Sequence, residues 1–464
     1  MKKFTQKNHG NHGNLIKIMV LTFFCFMPLA SFAQGGTTGP LTWKIESGTL
    51  TISGEGEMPD YYVDQPWLWN GYIFTKVVIE EGVTSIGTCA FNYTTFTSIT
   101  IPNSLTKIGG EAFYGATGIT SIVIPNSDAV INWRAFKNCS NLSSITLPSN
   151  LKIIREETFA NSGLTSITIP NSVNTIEKYA FNSCEKLISV ILPDYIETIE
   201  YSAFGGCKKL AFIELPYGLE SIEYCTFSGC EKLTSVTIPG SITSIGMGAF
   251  QYSGLTSITI PSNVTSLGTN AFYGCDDLTS VIINDGIKSI YGGTFRDCYS
   301  LTTVTIPASV VSIEATAFSS CGSLSTITCY RTTPPAVDVK TFENVYTRAC
   351  TLRVPENSVH YYKNALIWQD FEVVGMGVGI EPITNDELRI TVYPNPTTGQ
   401  LTIDNGQLTI KGVEIYDAFE KKQLSIVNCP LSIEIIDISN LPAGIYFVKI
   451  TTETGIITKK VIKY

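Results

Sequence analysis

Residues 233–254 read LTSVTIPGSITSIGMGAFQYSG, and the pattern of this stretch predicts the fold of most of the chain. Leu233, Val236 and Ile238 place apolar side chains at an L-x-x-L-x-L spacing, and Ser235 and Thr237 alternate with the last two. That alternation is typical of a β-strand with one buried face. Pro239 ends the strand because proline cannot donate a ladder hydrogen bond. The stretch therefore predicts a short strand followed by a turn and a return segment.

The same unit recurs along the chain with a period of 22 or 23 residues. A phenylalanine, usually after alanine, marks each copy: Phe91, Phe113, Phe136, Phe159, Phe181, Phe204, Phe227, Phe250, Phe272, Phe295 and Phe318. One unit cannot bury its apolar residues alone, whereas stacked units bury a continuous core and pair their strands. We predict a mostly β solenoid of about eleven coils, where a coil is one repeat unit, with a length on the order of 50 Å.

Cysteines follow the same register. Seven of them lie three residues after a repeat phenylalanine: Cys139, Cys184, Cys207, Cys230, Cys275, Cys298 and Cys321. Ala116 takes this position after Phe113, and a position that accepts Cys or Ala is typical of a small buried space. We predict packing thiols there, with disulfides between neighbouring coils as the alternative. Cys329 and Cys350 lie beyond the series, and a disulfide between them is a further hypothesis.

The units resemble the BspA-like leucine-rich repeats of bacterial surface proteins over roughly residues 40–375. The resemblance includes an entry segment with Leu41-Thr42-Trp43 and an exit segment with Thr333-Pro334-Pro335. It predicts an N-terminal cap over residues 34–78, the solenoid over 79–328 and a C-terminal cap over 329–375. Caps are physically expected because bare end coils would expose apolar faces and strand edges. The resemblance implies binding and adhesion to host proteins and to other cells.

The repeat period ends before a separate C-terminal region. Residues 376–387 read as a linker, and residues 388–464 predict a small β-sandwich because short apolar runs alternate with turns. The expected strands are 388–393, 400–403, 413–416, 432–436, 445–451 and 456–462.

This region resembles the C-terminal sorting domain of type IX secretion cargo (the Por type). The motif residues are Tyr393, Pro394, Asn395, Pro396, Gly444 and Tyr446. The chain departs from the family pattern at residues 418–421, where the family usually turns at a Gly-Arg or similar pair. The resemblance implies contact with the secretion machinery, passage across the outer membrane and later removal of the tail. An accessory β-sandwich without a sorting role is the alternative.

Residues 1–33 predict a signal peptide. Lysines precede the apolar run 18–27, and Ser31-Phe32-Ala33 gives a small-x-small cleavage pattern. The run is shorter than the roughly 20 residues of a membrane span, although an uncleaved anchor is the alternative. The sequence predicts no later membrane-spanning segment. We expect a secreted protein attached to the outer cell surface.

The composition argues against several classes of function. The net charge is −9, which is a poor match for nucleic acid. Of three histidines, His9 and His12 lie in the signal peptide, which leaves His360 for any Ser-His-Asp or Cys-His site. Carboxylate pairs such as Glu156-Glu157 and Asp276-Asp277 fall at turns of the repeat, where solvated residues are expected. We predict no catalytic, cofactor-binding or metal-binding residues.

A ligand site is expected where the outward strand positions break their Ser/Thr pattern. Ile188, Ile191, Phe212 and Glu214 fall on two adjacent coils, where stacking would make one apolar patch with a carboxylate at its rim. A second candidate surface is the aromatic set at the turns before the repeat phenylalanines, which comprises Trp133, Tyr179, Tyr201 and Tyr224. Random variation on a tolerant surface is the alternative for both.

The sequence therefore predicts a secreted surface protein that binds host or neighbouring-cell proteins or glycans through its solenoid. A structural, self-associating surface component is the alternative. A secreted hydrolase is less favoured because repeats and caps take up residues 34–375.

Overall fold

The computed structural model describes residues 34–68, 72–376, 391–393, 400–404, 410–417, 421–427, 433–442, 444–452 and 456–463. The predicted signal peptide, most of the predicted linker, Pro394–Pro396 and residues 418–420 lie outside the described residues. In chain order the solenoid strands are β1 (Gln34–Thr38), β2 (Leu41–Glu46), β3 (Thr49–Gly54), β4 (Gly56–Glu57), β5 (Lys76–Ile79), β6 (Val83–Ile86), β7 (Ser98–Thr100), β8 (Lys107–Ile108), β9 (Ser121–Val123), β10 (Val130–Ile131), β11 (Ser144–Thr146), β12 (Ile153–Ile154), β13 (Ser166–Thr168), β14 (Thr175–Ile176), β15 (Ser189–Ile191), β16 (Thr198–Ile199), β17 (Ser221–Ile222), β18 (Ser244–Ile245), β19 (Ser257–Ile260), β20 (Ser266–Leu267), β21 (Ser280–Ile283), β22 (Ser289–Ile290), β23 (Thr303–Ile306), β24 (Ser312–Ile313), β25 (Thr326–Cys329), β26 (Ala336–Val337), β27 (Thr351–Pro355) and β28 (Glu372–Met376). The C-terminal cap contains one short α-helix, α1 (Val359–Lys363), and three 3₁₀ helices, Thr347–Ala349, Glu356–Ser358 and Trp368–Asp370.

The solenoid has about 14 turns, more than the eleven marked by phenylalanine, because its caps also form turns. Most coils contribute two short strand segments, which pair in parallel with segments of neighbouring coils. We call the row that contains β5, β7, β9, β13, β19 and β27 the strand face. The N-terminal cap starts with the antiparallel strands β1, β2 and β3, after which β3 pairs in parallel with β5. The predicted solenoid with caps is thus confirmed.

The repeat phenylalanines form one continuous stack in the core. Consecutive rings from Phe91 to Phe318 have centroids 5.2 to 5.8 Å apart and lie within 16° of parallel. This is the offset arrangement that aromatic rings prefer. Trp67 stacks on Phe91 at one end, and Phe342 continues the stack to Trp368 at the other. Both tryptophans are buried, so each end of the stack is closed by a cap residue.

A residue in the left-handed backbone conformation lies two positions before each repeat phenylalanine. The φ angles are 52° to 67°, and most of these residues are not glycine; they include Cys89, Glu111, Arg134, Glu157 and Tyr179. This conformation costs on the order of 1 kcal/mol for a residue with a Cβ. The stack offsets part of that cost, since the Cys89 N–H donates to the Gly110 carbonyl of the next coil at 3.0 Å, and later coils repeat the bond.

The strand face is interrupted in the middle of the solenoid. The coil that follows β15 makes only a single bridge, between Ser189 and Phe212. The next coil has no strand at residues 234–238, so the strand predicted there from the 233–254 repeat is wrong. A strand needs a paired neighbour, and pairing on this face resumes only at β19 with β21.

Substitution of two glycines in these coils, Gly254 and Gly240, tests how tightly the coils stack. A Cβ on Gly254 would lie 2.2 Å from the Glu231 carbonyl oxygen of the preceding coil, whereas a Cβ on Gly240 would meet nothing within 4 Å. We expect Gly254→Ala to lower the free energy of unfolding by about 1–3 kcal/mol through overpacking. Gly240→Ala is the matched control and should be neutral or slightly stabilising. Equal midpoints in urea unfolding would contradict the close approach.

The C-terminal region forms two antiparallel sheets. Its strands are β29 (Thr391–Tyr393), β30 (Gln400–Asp404), β31 (Ile410–Asp417), β32 (Lys422–Val427), β33 (Ile433–Asp437), β34 (Gly444–Thr452) and β35 (Ile456–Lys463). One sheet has the order β29-β30-β33 and the other β32-β31-β34-β35. They share a core that is separate from the solenoid core. The β-rich prediction is confirmed, but β32 was missed because its run starts with Lys-Gln.

Candidate functional site

The strand face carries a ladder of side-chain hydroxyl groups. In seven coils, the residue directly before the strand is Ser or Thr. Its hydroxyl donates to the backbone carbonyl of the equivalent residue one coil earlier. The donors are Thr97, Ser143, Thr165, Thr256, Thr279, Thr302 and Ser325, with oxygen–oxygen distances of 2.9 to 3.3 Å. Because each hydroxyl is used in the stack, this part of the face is structural.

Two adjacent coils lack this hydroxyl. Ile188 and Ala211 occupy the ladder position there, although their backbone N–H groups still donate to the preceding coil at 2.8 and 3.1 Å. On the same coils, Phe212 takes the place that serine has in neighbouring coils. Ile188, Ile191 and Phe212 are half-buried, and Glu214 is exposed. The expected cluster of four residues therefore lies where the hydroxyl ladder is interrupted, and we call it the apolar patch.

The C-terminal domain lies against the apolar patch. The rings of Phe212 and Phe447 are 4.1 Å apart between centroids, and the Ser235 and Thr458 hydroxyl oxygens are 3.3 Å apart. A cleft of ≈ 350 Å³ between the two domains is lined by Ile188 and Phe212 from the solenoid. Sequence reasoning missed Phe447 and Thr458, because no local pattern relates a position in the tail to one in the solenoid.

Ile191 and Glu214 occupy the edge of the patch. Ile191 pairs in register with Thr168 on β13. Glu214 lines a second, smaller cavity of ≈ 40 Å³ together with Phe212 and Lys459 of the C-terminal domain. The structure thus brings Ile188, Phe212 and Glu214 to the domain contact and leaves Ile191 beside it.

The aromatic set on the turns does not form one continuous surface. Tyr179 and Tyr201 meet edge to face, with ring centroids 5.1 Å apart. Trp133 lies two coils from Tyr179, and its ring is covered by the Arg134 guanidinium at 5.4 Å. Trp133 and Tyr224 are 43 % and 48 % exposed. This set stays a weaker candidate than the apolar patch.

The carboxylate pairs are turn residues, as expected. Glu80, Glu81, Asp276 and Asp277 are exposed. Glu157 accepts hydrogen bonds from Arg134, at 2.8 Å from its Nε, and from Lys137. Burial raises the pKa of Glu157, but these two partners outweigh it and hold the pKa below its usual value. A carboxylate held ionised by two cations is a structural ion pair and a poor general acid.

The seven cysteines that lie three residues after a repeat phenylalanine, here called the ladder cysteines, are buried and free. Each thiol lies beside the backbone carbonyl of a repeat phenylalanine one coil earlier, as Cys139 Sγ does at 3.0 Å from the Phe113 oxygen. The prediction of packing thiols is confirmed, and disulfides between coils do not form. Burial raises the pKa of Cys139, Cys230 and Cys275 to about 12, which disfavours the nucleophilic thiolate.

These thiols should be unreactive in the folded protein. We expect Cys139, Cys230 and Cys275 to remain unmodified by iodoacetamide at pH 8 and to be fully modified after denaturation in guanidinium, because both burial and a high pKa limit thiolate attack. Mass mapping of the labelled peptides measures this. Rapid labelling of these cysteines in the native protein would contradict the stacked core.

The hypothesis of a disulfide between Cys329 and Cys350 is wrong. Both cysteines are free and buried. Strand β25 pairs with β27 so that Thr326 faces Thr351, which places Cys350 level with Ser325. Cys329 is four residues further along the strand, a distance of about 13 Å, whereas disulfides need Cα atoms within about 7 Å. The Cys329 thiol instead lies 3.2 Å from the Tyr362 hydroxyl.

His360 is exposed on α1, with its ring centroid 3.8 Å from that of Tyr361. Within the described part of the chain, no three His, Cys, Asp or Glu side chains lie close enough together to hold a metal ion. The described residues also include no helix with the length and apolar character needed to span a bilayer.

Comparison with known proteins identifies both regions. Residues 68–188, 174–299 and 243–366 match the model of the BspA type leucine rich repeat region, in six copies. Residues 391–464 match the model of the secretion system C-terminal sorting domain. Neither model describes an enzyme. A search of curated proteins found no match to this chain.

Among solved structures, a leucine-rich repeat protein from Bacteroides ovatus is 26 % identical, with a TM-score of 0.50, over 74 % of this chain and all of that one. A leucine-rich repeat protein from Eubacterium ventriosum is 22 % identical, with a TM-score of 0.41, over 68 % of this chain and 95 % of that one. A leucine-rich cell surface protein from Faecalibacterium prausnitzii is 23 % identical, with a TM-score of 0.39, over 74 % of this chain and 99 % of that one.

The fold and the strand face define a leucine-rich-repeat solenoid, a class typical of binding and scaffold proteins. The chain belongs to the BspA-type leucine-rich-repeat family. With its C-terminal sorting domain, it is a secreted cell-surface protein.

Proposed function

We propose that this surface protein is not an enzyme and binds extracellular protein or glycan ligands, in the manner of an adhesin, through the strand face of its solenoid. The observation that carries the proposal is the apolar patch of Ile188, Ile191, Phe212 and Glu214. Along a face lined mostly by Ser and Thr, these four residues bring large apolar side chains and a carboxylate together on two adjacent coils. Apolar patches with a polar rim often mark partner sites.

The alternative of a self-associating structural component is less well supported. Stacking of solenoids end to end would require exposed end coils, but Trp67 and Trp368 close the aromatic stack at either end and are buried. A secreted hydrolase finds little support, since the described residues of 34–376 belong to repeats and caps. The residues that could act as a general acid or base, His360 and the turn carboxylates, lie apart on the surface.

A binding screen of residues 34–376 tests the proposed function. The fragment is expected to fold without the tail, because the solenoid and the C-terminal domain have separate cores. It should be screened against extracellular-matrix proteins, mucins and a glycan array. We expect at least one saturable interaction with a monomeric fragment. No binding, together with concentration-dependent assembly in sedimentation, would contradict the proposal and favour the structural alternative.

A further inference from the structure

The outer face of a sheet in the C-terminal domain meets the apolar patch. In the β32-β31-β34-β35 sheet, Tyr416 pairs with Phe447 and Lys449 pairs with Thr458. These four side chains line the cleft toward the solenoid. Their neighbours Ile415 and Val448 are buried in the core of the C-terminal domain. Tyr416, Phe447, Lys449 and Thr458 therefore form one face of the sheet, opposite its core.

We propose that the C-terminal domain docks on the apolar patch, so that the patch is an intramolecular interface in the full-length chain. The centre of the interface is the contact between Phe212 and Phe447, whose ring centroids are 4.1 Å apart. The hydroxyl groups of Ser235 and Thr458 meet beside it at 3.3 Å. The occupant of the patch is thus a defined part of the same chain.

The solenoid is altered at the point of docking. Ile188 and Ala211 interrupt the hydroxyl ladder, and the strand face loses its regular pairing on the coils of Phe212 and Ser235. Ser189 is buried at 8 % exposure, whereas its register partner Ser166 is exposed. A face that receives a second sheet needs apolar residues rather than a solvated Ser/Thr row. Docking accounts for all three changes.

Val123, which the C-terminal domain does not cover, contrasts with Phe212 on the same face. Val123 is also an outward apolar residue of the strand face, on β9. It is 61 % exposed, whereas Phe212 is half-buried beneath the C-terminal domain. At Val123, therefore, the solenoid alone leaves an outward apolar residue largely exposed.

Residues of opposite charge line the same two cavities at the contact. Glu214 of the solenoid and Lys459 of the C-terminal domain line one small cavity, and Lys232 and Asp417 line the larger cleft. Complementary charges fix the orientation of two docked surfaces more than they add affinity. The open cleft of ≈ 350 Å³ shows that the two surfaces are incompletely packed, which favours a reversible contact.

Docking has a consequence that rests on the proposed function. A ligand that binds the solenoid through the apolar patch competes with the C-terminal domain for Phe212. The full-length chain then binds such a ligand more weakly than residues 34–376. The docking itself needs no ligand, so it can be tested separately.

Site-specific photocrosslinking of the full-length chain tests the docking. The photoreactive residue p-benzoyl-phenylalanine is placed at position 212, and the matched control carries it at position 123. After irradiation of dilute protein, peptide mapping should find an intramolecular crosslink from position 212 to strand β34 or β35, and none from position 123. Glu214→Lys should lower the crosslink yield by about threefold or more through like-charge repulsion with Lys459, and adding Lys459→Glu should restore it.

The outcomes separate the two proposals. No crosslink between position 212 and the C-terminal domain, or an equal yield from position 123, would overturn the docking. If residues 34–376 nevertheless bind a ligand saturably, the proposed function stands without it. A crosslink from position 212 in a protein whose solenoid binds no ligand would leave the docking intact and overturn the proposed function.

Discussion

Phe204→Ala lowers the free energy of unfolding by about 3–5 kcal/mol, the cost typical of removing a buried aromatic ring. The Phe204 ring is fully buried and lies 5.2 Å from Phe181 and 5.8 Å from Phe227 between centroids. Its loss leaves a cavity in the middle of the stack and removes a ring partner from both neighbours. Equilibrium urea unfolding of residues 34–376 measures the change.

The control for this variant is Tyr195→Ala, which removes an aromatic ring that is 79 % exposed. Substitutions at such surface positions usually change stability by less than about 0.5 kcal/mol. If both variants unfold at the same urea concentration, the aromatic stack does not support the solenoid in the way that the ring geometry indicates.

Trp368→Ala should have an effect of similar size, about 3–5 kcal/mol, because it opens the C-terminal end of the stack. Trp368 is 1 % exposed, its indole nitrogen donates to the Pro335 carbonyl at 2.9 Å, and its ring meets Phe342 at 5.5 Å. In a repeat array the end coils unfold most readily once their cap is lost. Hydrogen exchange should therefore increase first in residues 326–376.

Two further variants make this prediction specific. Trp368→Phe keeps an aromatic ring but leaves the Pro335 carbonyl without its donor, so a smaller loss of about 1–3 kcal/mol is expected. Leu366→Ala alters an exposed residue of the same cap and should leave stability nearly unchanged. If hydrogen exchange in Trp368→Ala instead increases evenly over all coils, Trp368 does not stabilise the C-terminal end of the stack in particular.

The repeat period made the solenoid predictable. Each phenylalanine and each ladder cysteine recurs at a fixed position in its coil, and such a position can be buried only if the coils stack. The left-handed residues before the phenylalanines were not predictable, because Glu111 and Arg134 are not residue types that favour that conformation. Inter-coil hydrogen bonds stabilise it there, and these bonds exist only in the assembled stack.

The candidate site was only partly predictable. The positions of Ile188 and Phe212 relative to each other follow from the repeat register, so their proximity could be inferred from the sequence. The contact of Phe212 with Phe447 could not, since it joins two domains with separate cores and no shared period. A disulfide between Cys329 and Cys350 was expected wrongly for a related reason, because the register of β25 with β27 in the C-terminal cap does not follow from the repeat period.

The affinity of residues 34–376 for a ligand found in the screen, measured with and without the apolar patch, tests the proposed binding site directly. We predict that the double variant Ile191→Thr and Phe212→Thr binds at least about tenfold more weakly, a loss of about 1.4 kcal/mol, while Val123→Thr on the same face binds like the unchanged fragment. Equal affinities of all three proteins would contradict the claim that the solenoid recognises its ligand through the patch.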